Sequence, residues 1–338
     1  MHSTIQKEEQ MLSAGRNNRL TVIRIIGGLA IMLLLFPSSR AFSQIAKGQS
    51  KFIGNVIGSY IPSDFAKYWD QVTPENAGKW GNVAVSENPA KWKWAPLDSI
   101  YEYALAHHFP FKFHNLVWGN QQPTWIASLP PAKQKEMVEL WIREAGKRYP
   151  KSAMVDVVNE PIQHPPVYKN ALGGNGKTGW DWVIWTYERA RKAFPHSKLL
   201  LNEFNILRSR KMTEKYIHII DILKERHLID GIGCQGHFME KVSPDTIESN
   251  LNLLAKTGLP IYISEYDVNE ANDAAQLAIY KKQFPIFWTD PAIKGITLWG
   301  YIQGIIWRKD SYLVRKNGTE RPALVWLQKY VASTPATK

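Results

Sequence analysis

The stretch Ser243-Pro244-Asp245-Thr246-Ile247, continued by Leu251, Leu254 and Gly258 and closed by Pro260-Ile261-Tyr262-Ile263-Ser264-Glu265, decides the fold. Ser243 and Pro244 have the character of a helix N-cap and a first helical residue. Ile247, Leu251 and Leu254 then form one apolar stripe, and Gly258 stops the helix. A short apolar run follows at once and leads into a glutamate. Working outward, Met137, Trp141 and Ala145 mark another helical stripe, after which Met154-Val155-Asp156-Val157-Val158 runs into Asn159-Glu160. Helix followed by apolar strand, repeated, is the pattern of βα units around a parallel sheet.

Eight such strands are expected, over residues 52–57, 71–74, 111–117, 154–158, 198–201, 231–235, 260–264 and 295–298. The expected fold is therefore α/β, a single (β/α)8 TIM barrel with its site at the C-terminal strand ends. Polar and aromatic residues gather at those ends. Glu75 and Asn76 follow the second strand, and His114 and Trp118 belong to the third. Asn159 and Glu160 end the fourth, Gln235 and His237 the sixth, Glu265 the seventh and Trp299 the eighth. A doubly wound open sheet is the alternative, but it would more often carry a Gly-rich turn after its first strand. No repeat or Pro/Ser linker interrupts residues 50–332, which argues for one domain.

Composition excludes several classes. The 338 residues are 44% hydrophobic and 21% charged, unlike a disordered or collagen-like chain. Cys234 is the only cysteine, so neither an intramolecular disulfide nor a cysteine-based metal centre can form. Fourteen tryptophans exceed what core filling alone asks for, and stacking on a ligand is one use for them. Arg16, Arg19 and Arg24 precede an apolar run over residues 25–36, with small Ala41 and Ser43 beyond it. Residues 1–43 thus read as a signal peptide, since the apolar run is shorter than the about 20 residues that span a bilayer. Residues 44–338 would be the mature domain, secreted or periplasmic, monomeric and with no membrane association after cleavage. The leader carries five Lys/Arg against two Asp/Glu, which leaves about +9 of the formal +12. These charges are scattered, and no nucleic-acid module is recognisable.

Motifs of other chemistries fail on context or are absent. Gly174, Gly176 and Gly179 spell a dinucleotide fingerprint, but the match does not directly follow a strand. A flexible loop over the barrel mouth is the better expectation there. No metal-binding helix motif or carboxylate-rich metal loop occurs, and no cofactor is expected. The absence of a GxSxG turn argues against a serine nucleophile. Glu160 and Glu265 remain, each ending an apolar strand, 105 residues apart. Alone, such acids could be a buried salt-bridged pair. Surrounded by aromatic and hydroxyl-binding side chains, they fit glycosidic cleavage, which needs one protonated acid and one ionised carboxylate.

Five ordered segments carry a resemblance. They are Thr73-Pro74-Glu75-Asn76-Ala77-Gly78-Lys79-Trp80, His114-Asn115-Leu116-Val117-Trp118, Asp156-Val157-Val158-Asn159-Glu160-Pro161, Gly233-Cys234-Gln235-Gly236-His237-Phe238 and Ser264-Glu265-Tyr266-Asp267-Val268. With Leu298-Trp299-Gly300 and Trp307-Arg308, the chain resembles glycoside hydrolase family 10, the retaining endo-1,4-β-xylanases, over about residues 50–332. The resemblance implies xylan or xylo-oligosaccharide as substrate, Glu160 as general acid/base and Glu265 as nucleophile. It implies that Asn159 bonds the sugar 2-hydroxyl and that His237 bridges Glu265 and Asp267, with Gln235 nearby. Glu75, Asn76, Lys79, His114, Trp118 and Gln121 would hold the non-reducing side, walled by Trp299 and Trp307. Four departures touch substrate detail. Gly119 stands where the family commonly has a second His, Ala77-Gly78 replace Glu-Met, Tyr266 replaces Leu, and residues 301–306 are unusually apolar. Phe204 stands where the family often has a Tyr on the leaving-group side. A glycosidase of another β-1,4-glycan and a non-catalytic polysaccharide-binding barrel are the competing expectations.

Overall fold

The computed structural model describes residues 44–336; the expected signal peptide lies outside them. Eight parallel strands form one sheet: β1 (Phe52–Ile57), β2 (Val72–Pro74), β3 (Lys112–Val117), β4 (Met154–Asn159), β5 (Lys198–Glu203), β6 (Gly231–Gly236), β7 (Ile261–Tyr266) and β8 (Ile293–Leu298). Their order is β2-β1-β8-β7-β6-β5-β4-β3. A bridge between Val72 and Phe111 joins the two ends, with Val72 N–H donating to the Pro110 carbonyl at 3.1 Å. The sheet is thus a near-closed barrel, the expected (β/α)8 architecture.

Helices fill the connections. Ala95–Ala106 links β2 to β3, Pro131–Arg148 links β3 to β4, and Asp181–Ala193 links β4 to β5. Arg210–Lys224, Pro244–Ala255 and Asp273–Thr289 follow in turn, and Pro322–Ser333 comes after β8. The β1–β2 link is a single turn, Phe65–Tyr68. In Pro244–Ala255 the Ser243 hydroxyl accepts the Thr246 N–H at 3.2 Å, as an N-cap should, while Ile247, Leu251 and Leu254 are buried. Gly258 closes the segment at φ +75°, a backbone region that favours glycine.

Two expectations need correction in detail. Strands β4, β5 and β7 run past Val158, Leu201 and Ser264, so Asn159 and Glu265 lie inside the sheet. Pairing persists because Asn159 sits opposite Asn202, and Gln235 opposite Glu265, on neighbouring strands. The polar side chains satisfy one another, so their polarity does not break the ladder. The glycine-rich segment, expected over the mouth, has none of residues 173–179 lining the cavity described below. It folds instead onto the helix Asp181–Ala193, where the Asp181 carboxylate accepts from the N–H groups of Lys177 and Thr178.

Most tryptophans are structural. Trp141 is fully buried, stacks between Trp80 and Trp94 and donates to the Leu116 carbonyl at 2.8 Å. This wedge braces the back of β3 and fixes the strand that carries His114. Arg321 does a similar job beyond β8. It is fully buried, pairs with Asp273 at 2.7 Å and donates to the carbonyls of Asp310 and Tyr312. Those bonds fasten the long segment that carries Trp307 and Arg308.

Candidate functional site

At the C-terminal end of the barrel lies a cavity of about 370 Å³. Of the fourteen residues expected at a site, thirteen line it: Glu75, Asn76, Lys79, His114, Trp118, Gln121, Asn159, Glu160, Gln235, His237, Glu265, Trp299 and Trp307. Asp267 stands behind His237 and outside the lining. Four further residues, Asn120, His164, Phe204 and Phe238, complete the wall. Six non-glycine residues have positive φ among the described residues, and Gln121, Glu160 and Phe238 among them line this cavity. Such conformations cost free energy and persist where surrounding bonds over-determine them.

Glu160 shows how. At φ +53° it turns the chain just past β4, held by its N–H on the Asn202 carbonyl at 2.7 Å and by the His164 N–H on its own carbonyl at 2.8 Å. The carboxyl then faces three side chains. Gln235 Nε2 donates to Oε1 at 2.9 Å, Trp118 Nε1 donates to Oε2 at 2.8 Å, and His164 Nδ1 lies 2.6 Å from Oε2.

Glu265 is buried on β7. Asn202 Nδ2 donates to its Oε1 at 2.7 Å and His237 Nε2 lies 3.2 Å from its Oε2. Asn202 Nδ2 also reaches Asn159 Oδ1 at 2.7 Å, and Gln235 Nε2 reaches that same oxygen at 3.3 Å. One chain of hydrogen bonds therefore runs from Glu160 through Gln235, Asn159 and Asn202 to Glu265. The two carboxyls share one cavity and one scaffold.

Electrostatics set Glu265 apart. Burial pushes its carboxyl up, but the positive field of His114, the His237 hydrogen bond and Lys112 overcome it and hold the group down at about 2. His237 is the mirror case. Burial pulls the imidazole down, while Asp267 and Glu265 outweigh that and raise it to about 9. Its two ring nitrogens face two carboxylates, Asp267 at 2.9 Å and Glu265 at 3.2 Å, an arrangement that suits an imidazolium donating from both. Asp267 is itself pinned by Trp307 Nε1 at 3.0 Å and Arg308 at 2.6 Å.

This pair makes a testable contribution to stability. The raised His237 value gives stabilisation that is complete below 6.5 and lost as pH rises through about 9. The lowered Glu265 value gives stabilisation present above 4.5 and lost as pH falls through about 2. Urea unfolding of the wild type and of His237→Asn should therefore differ most between these two ordinary values, with the gap shrinking toward pH 9. A gap that stays constant from neutral pH to pH 9 would mean that His237 is uncharged.

On the other wall, Lys79 Nζ donates to Asn76 Oδ1 at 3.0 Å and sits 5.0 Å above the Trp118 ring. Gln121 donates to the same Asn76 oxygen at 3.2 Å. Burial raises the Glu75 carboxyl and lowers the Lys79 ammonium. Trp299 packs edge-on against both His114 and His237, whereas Trp307, in T-shaped contact with His237 and Phe238, is 48% exposed. The Gly119 departure has a steric reason, because a Cβ there would lie 2.3 Å from the His164 carbonyl oxygen.

Sequence reading missed Asn202, Glu203 and His164. Asn202 and Glu203 end β5 much as Asn159 ends β4 with Glu160 just beyond it, and that repeated Asn-Glu was the available signal. Glu203 does not line the cavity. Its carboxyl accepts the N–H groups of Ile162 and Phe204, and burial pushes it up to about 8. Cys234 is buried in β6, where burial raises the thiol. Among the described residues no cluster of three or more His, Cys, Asp and Glu could hold a metal ion, and no helix is long and apolar enough to cross a membrane.

The model of Glycosyl hydrolase family 10 matches residues 42–330. Endo-1,4-beta-xylanase B of Cellvibrio japonicus is 40% identical over 282 residues, 82% of this chain and 45% of that protein. Anti-sigma-I factor RsgI6 of Acetivibrio thermocellus is 28% identical over 255 residues, 70% of this chain and 32% of that protein. The chain thus spans less than half the length of either relative. Xylanase 10B of Thermotoga maritima superposes with a TM-score of 0.75 over 87% of this chain and 98% of its own, at 23% identity, a likeness of fold. On the family match and the 40% relative, this chain belongs to glycosyl hydrolase family 10.

Proposed function

We propose that the protein is a retaining endo-1,4-β-xylanase that hydrolyses internal β-1,4-xylosidic bonds of xylan. One observation carries this reading: two carboxyls face one cavity and are joined by one chain of hydrogen bonds, with Glu265 held strongly anionic by its surroundings. In the proposed first step Glu160 gives its proton to the glycosidic oxygen as Glu265 attacks the anomeric carbon. The C1–O bond breaks, and a glycosyl ester forms on Glu265. In the second step Glu160 takes a proton from water, whose oxygen displaces Glu265 and regenerates both groups. Such a mechanism needs the carboxyls roughly 5–5.5 Å apart. In this reading Asn159, linked to the two acids through Asn202 and Gln235, bonds the 2-hydroxyl, and His237 orients Glu265. Trp299 and Trp307 wall the glycone side, which Glu75, Asn76, Lys79, His114, Trp118 and Gln121 hold. The 40% identical relative is named a xylanase, which favours xylan over other β-1,4-glycans. The Arg-flanked apolar run before residue 44 further supports an exported enzyme.

A xylohexaose digest followed by proton NMR tests this directly. The new reducing ends should appear first as the β-anomer, and xylan should be cleaved in preference to cellulose and mixed-linkage glucan. First appearance of the α-anomer would overturn the retaining assignment. A second reading, a polysaccharide-binding protein without turnover, draws on the relative named as an anti-sigma factor. Xylan binding with no covalent labelling of Glu265 by a 2-fluoro xylobioside would favour it.

A further inference from the structure

His164 is the partner of Glu160 that the proposed mechanism leaves unused. Its backbone and its ring are both held. The backbone N–H donates to the Glu160 carbonyl at 2.8 Å, and its own carbonyl accepts the Gly119 N–H at 2.9 Å. The imidazole lies nearly parallel to Phe204, with centroids 5.7 Å apart and planes 11° apart. Nδ1 is thereby delivered to Glu160 Oε2 at 2.6 Å, while the side chain stays 40% exposed in the cavity wall.

The three side-chain contacts of Glu160 differ in kind. Trp118 Nε1 and Gln235 Nε2 can only donate, whatever the carboxyl carries. His164 Nδ1 can accept from a protonated Oε2 when the ring is neutral, or donate to an ionised Oε2 when it is charged. It is the one contact of the three that can change from acceptor to donor as the carboxyl gives and later takes a proton. Glycine at position 119 is what admits it, because any Cβ there would push the His164 carbonyl away.

We propose that His164 is a positioning residue for proton transfer by Glu160, fixing the rotation of its carboxyl toward the leaving oxygen on the Phe204 side of the cavity. This rests on the reading of Glu160 as the acid. A positioning role predicts a dependence on the leaving group that a mere cavity wall would not give. For His164→Ala, kcat/KM on an aryl xylobioside with a poor leaving group, such as phenyl, should fall about tenfold or more, a fraction of what general acid catalysis supplies. On the 2,4-dinitrophenyl analogue, which departs without a proton, it should change less than about twofold. His164→Gln, whose amide can still meet Oε2, should recover most of the phenyl rate.

Both variants are first checked for wild-type thermal unfolding, and Glu160→Ala is measured on the same two substrates. If Glu160→Ala discriminates between them and His164→Ala does not, the inference about His164 is overturned while the acid assignment stands. Equal losses on both substrates for His164→Ala would overturn it too. If Glu160→Ala itself fails to discriminate, the acid assignment falls, and the role of His164 falls with it.

Discussion

Glu265→Gln is expected to lower turnover on xylan by about 10⁵-fold, the scale seen when a covalent nucleophile is removed. That is about 7 kcal/mol of transition-state stabilisation. The amide fills the same space, and its oxygen can still accept from Asn202, which now donates to Oε1 at 2.7 Å. The barrel should therefore stay folded, and the loss should be chemical. What disappears is an anion kept at full charge: a group held at about 2 is ionised at any pH where the fold is sound. The substitution also leaves His237 with one carboxylate instead of two, so its value should drop from about 9 toward the ordinary imidazole range. The measurement is turnover of xylan, together with intact mass after incubation with a 2-fluoro xylobioside. Wild-type protein should gain one glycosyl unit and the variant none. A variant that is labelled, or that retains more than about a hundredth of the activity, would remove Glu265 from the role.

The residues that make this prediction possible were unequally legible in the sequence. Glu265 and Glu160 stand out because each ends an apolar run, where a carboxyl needs either a charged partner or chemistry to perform. The barrel itself follows from the same alternation, since amphipathic helices and apolar strands leave few other ways to bury both. Strand ends were harder. Asn202 pairs its side chain with Asn159, Glu265 and Ser264 across three strands, a closure that only the folded barrel creates. His164 was illegible for a different reason. An exposed histidine in a Pro-rich loop carries no periodicity, and its contact with Glu160 depends on the left-handed turn that Glu160 itself makes. Tryptophan misled by number alone. Trp69, Trp141, Trp182 and Trp288 are fully buried, and only Trp118, Trp299 and Trp307 reach the cavity. Composition counts side chains, but it cannot say which way each one faces.

Glu160→Ala should fail in a manner that depends on what is being cleaved. On xylan, whose leaving group is a poorly acidic sugar hydroxyl, the rate should fall by about 10²–10⁴-fold, the range general acid catalysis supplies. On a 2,4-dinitrophenyl xylobioside the first step needs no proton, so the glycosyl ester on Glu265 should still form at near wild-type kcat/KM. The second step then stalls, because no base is left to take the proton from water, and the ester should accumulate as a burst of dinitrophenol. Truncation to alanine also opens space between Trp118, Gln235 and His164, the three side chains that now hold the carboxyl. Azide is small enough for such a gap and needs no base. Added azide should therefore restore turnover and yield a β-xylobiosyl azide, its configuration preserved by two inversions. The same anion should do nothing for Glu265→Gln on this substrate, since the face it would need is still filled by an amide. An α-azide from Glu160→Ala would interchange the two glutamates, and absence of any burst would deny Glu160 its part in the second step.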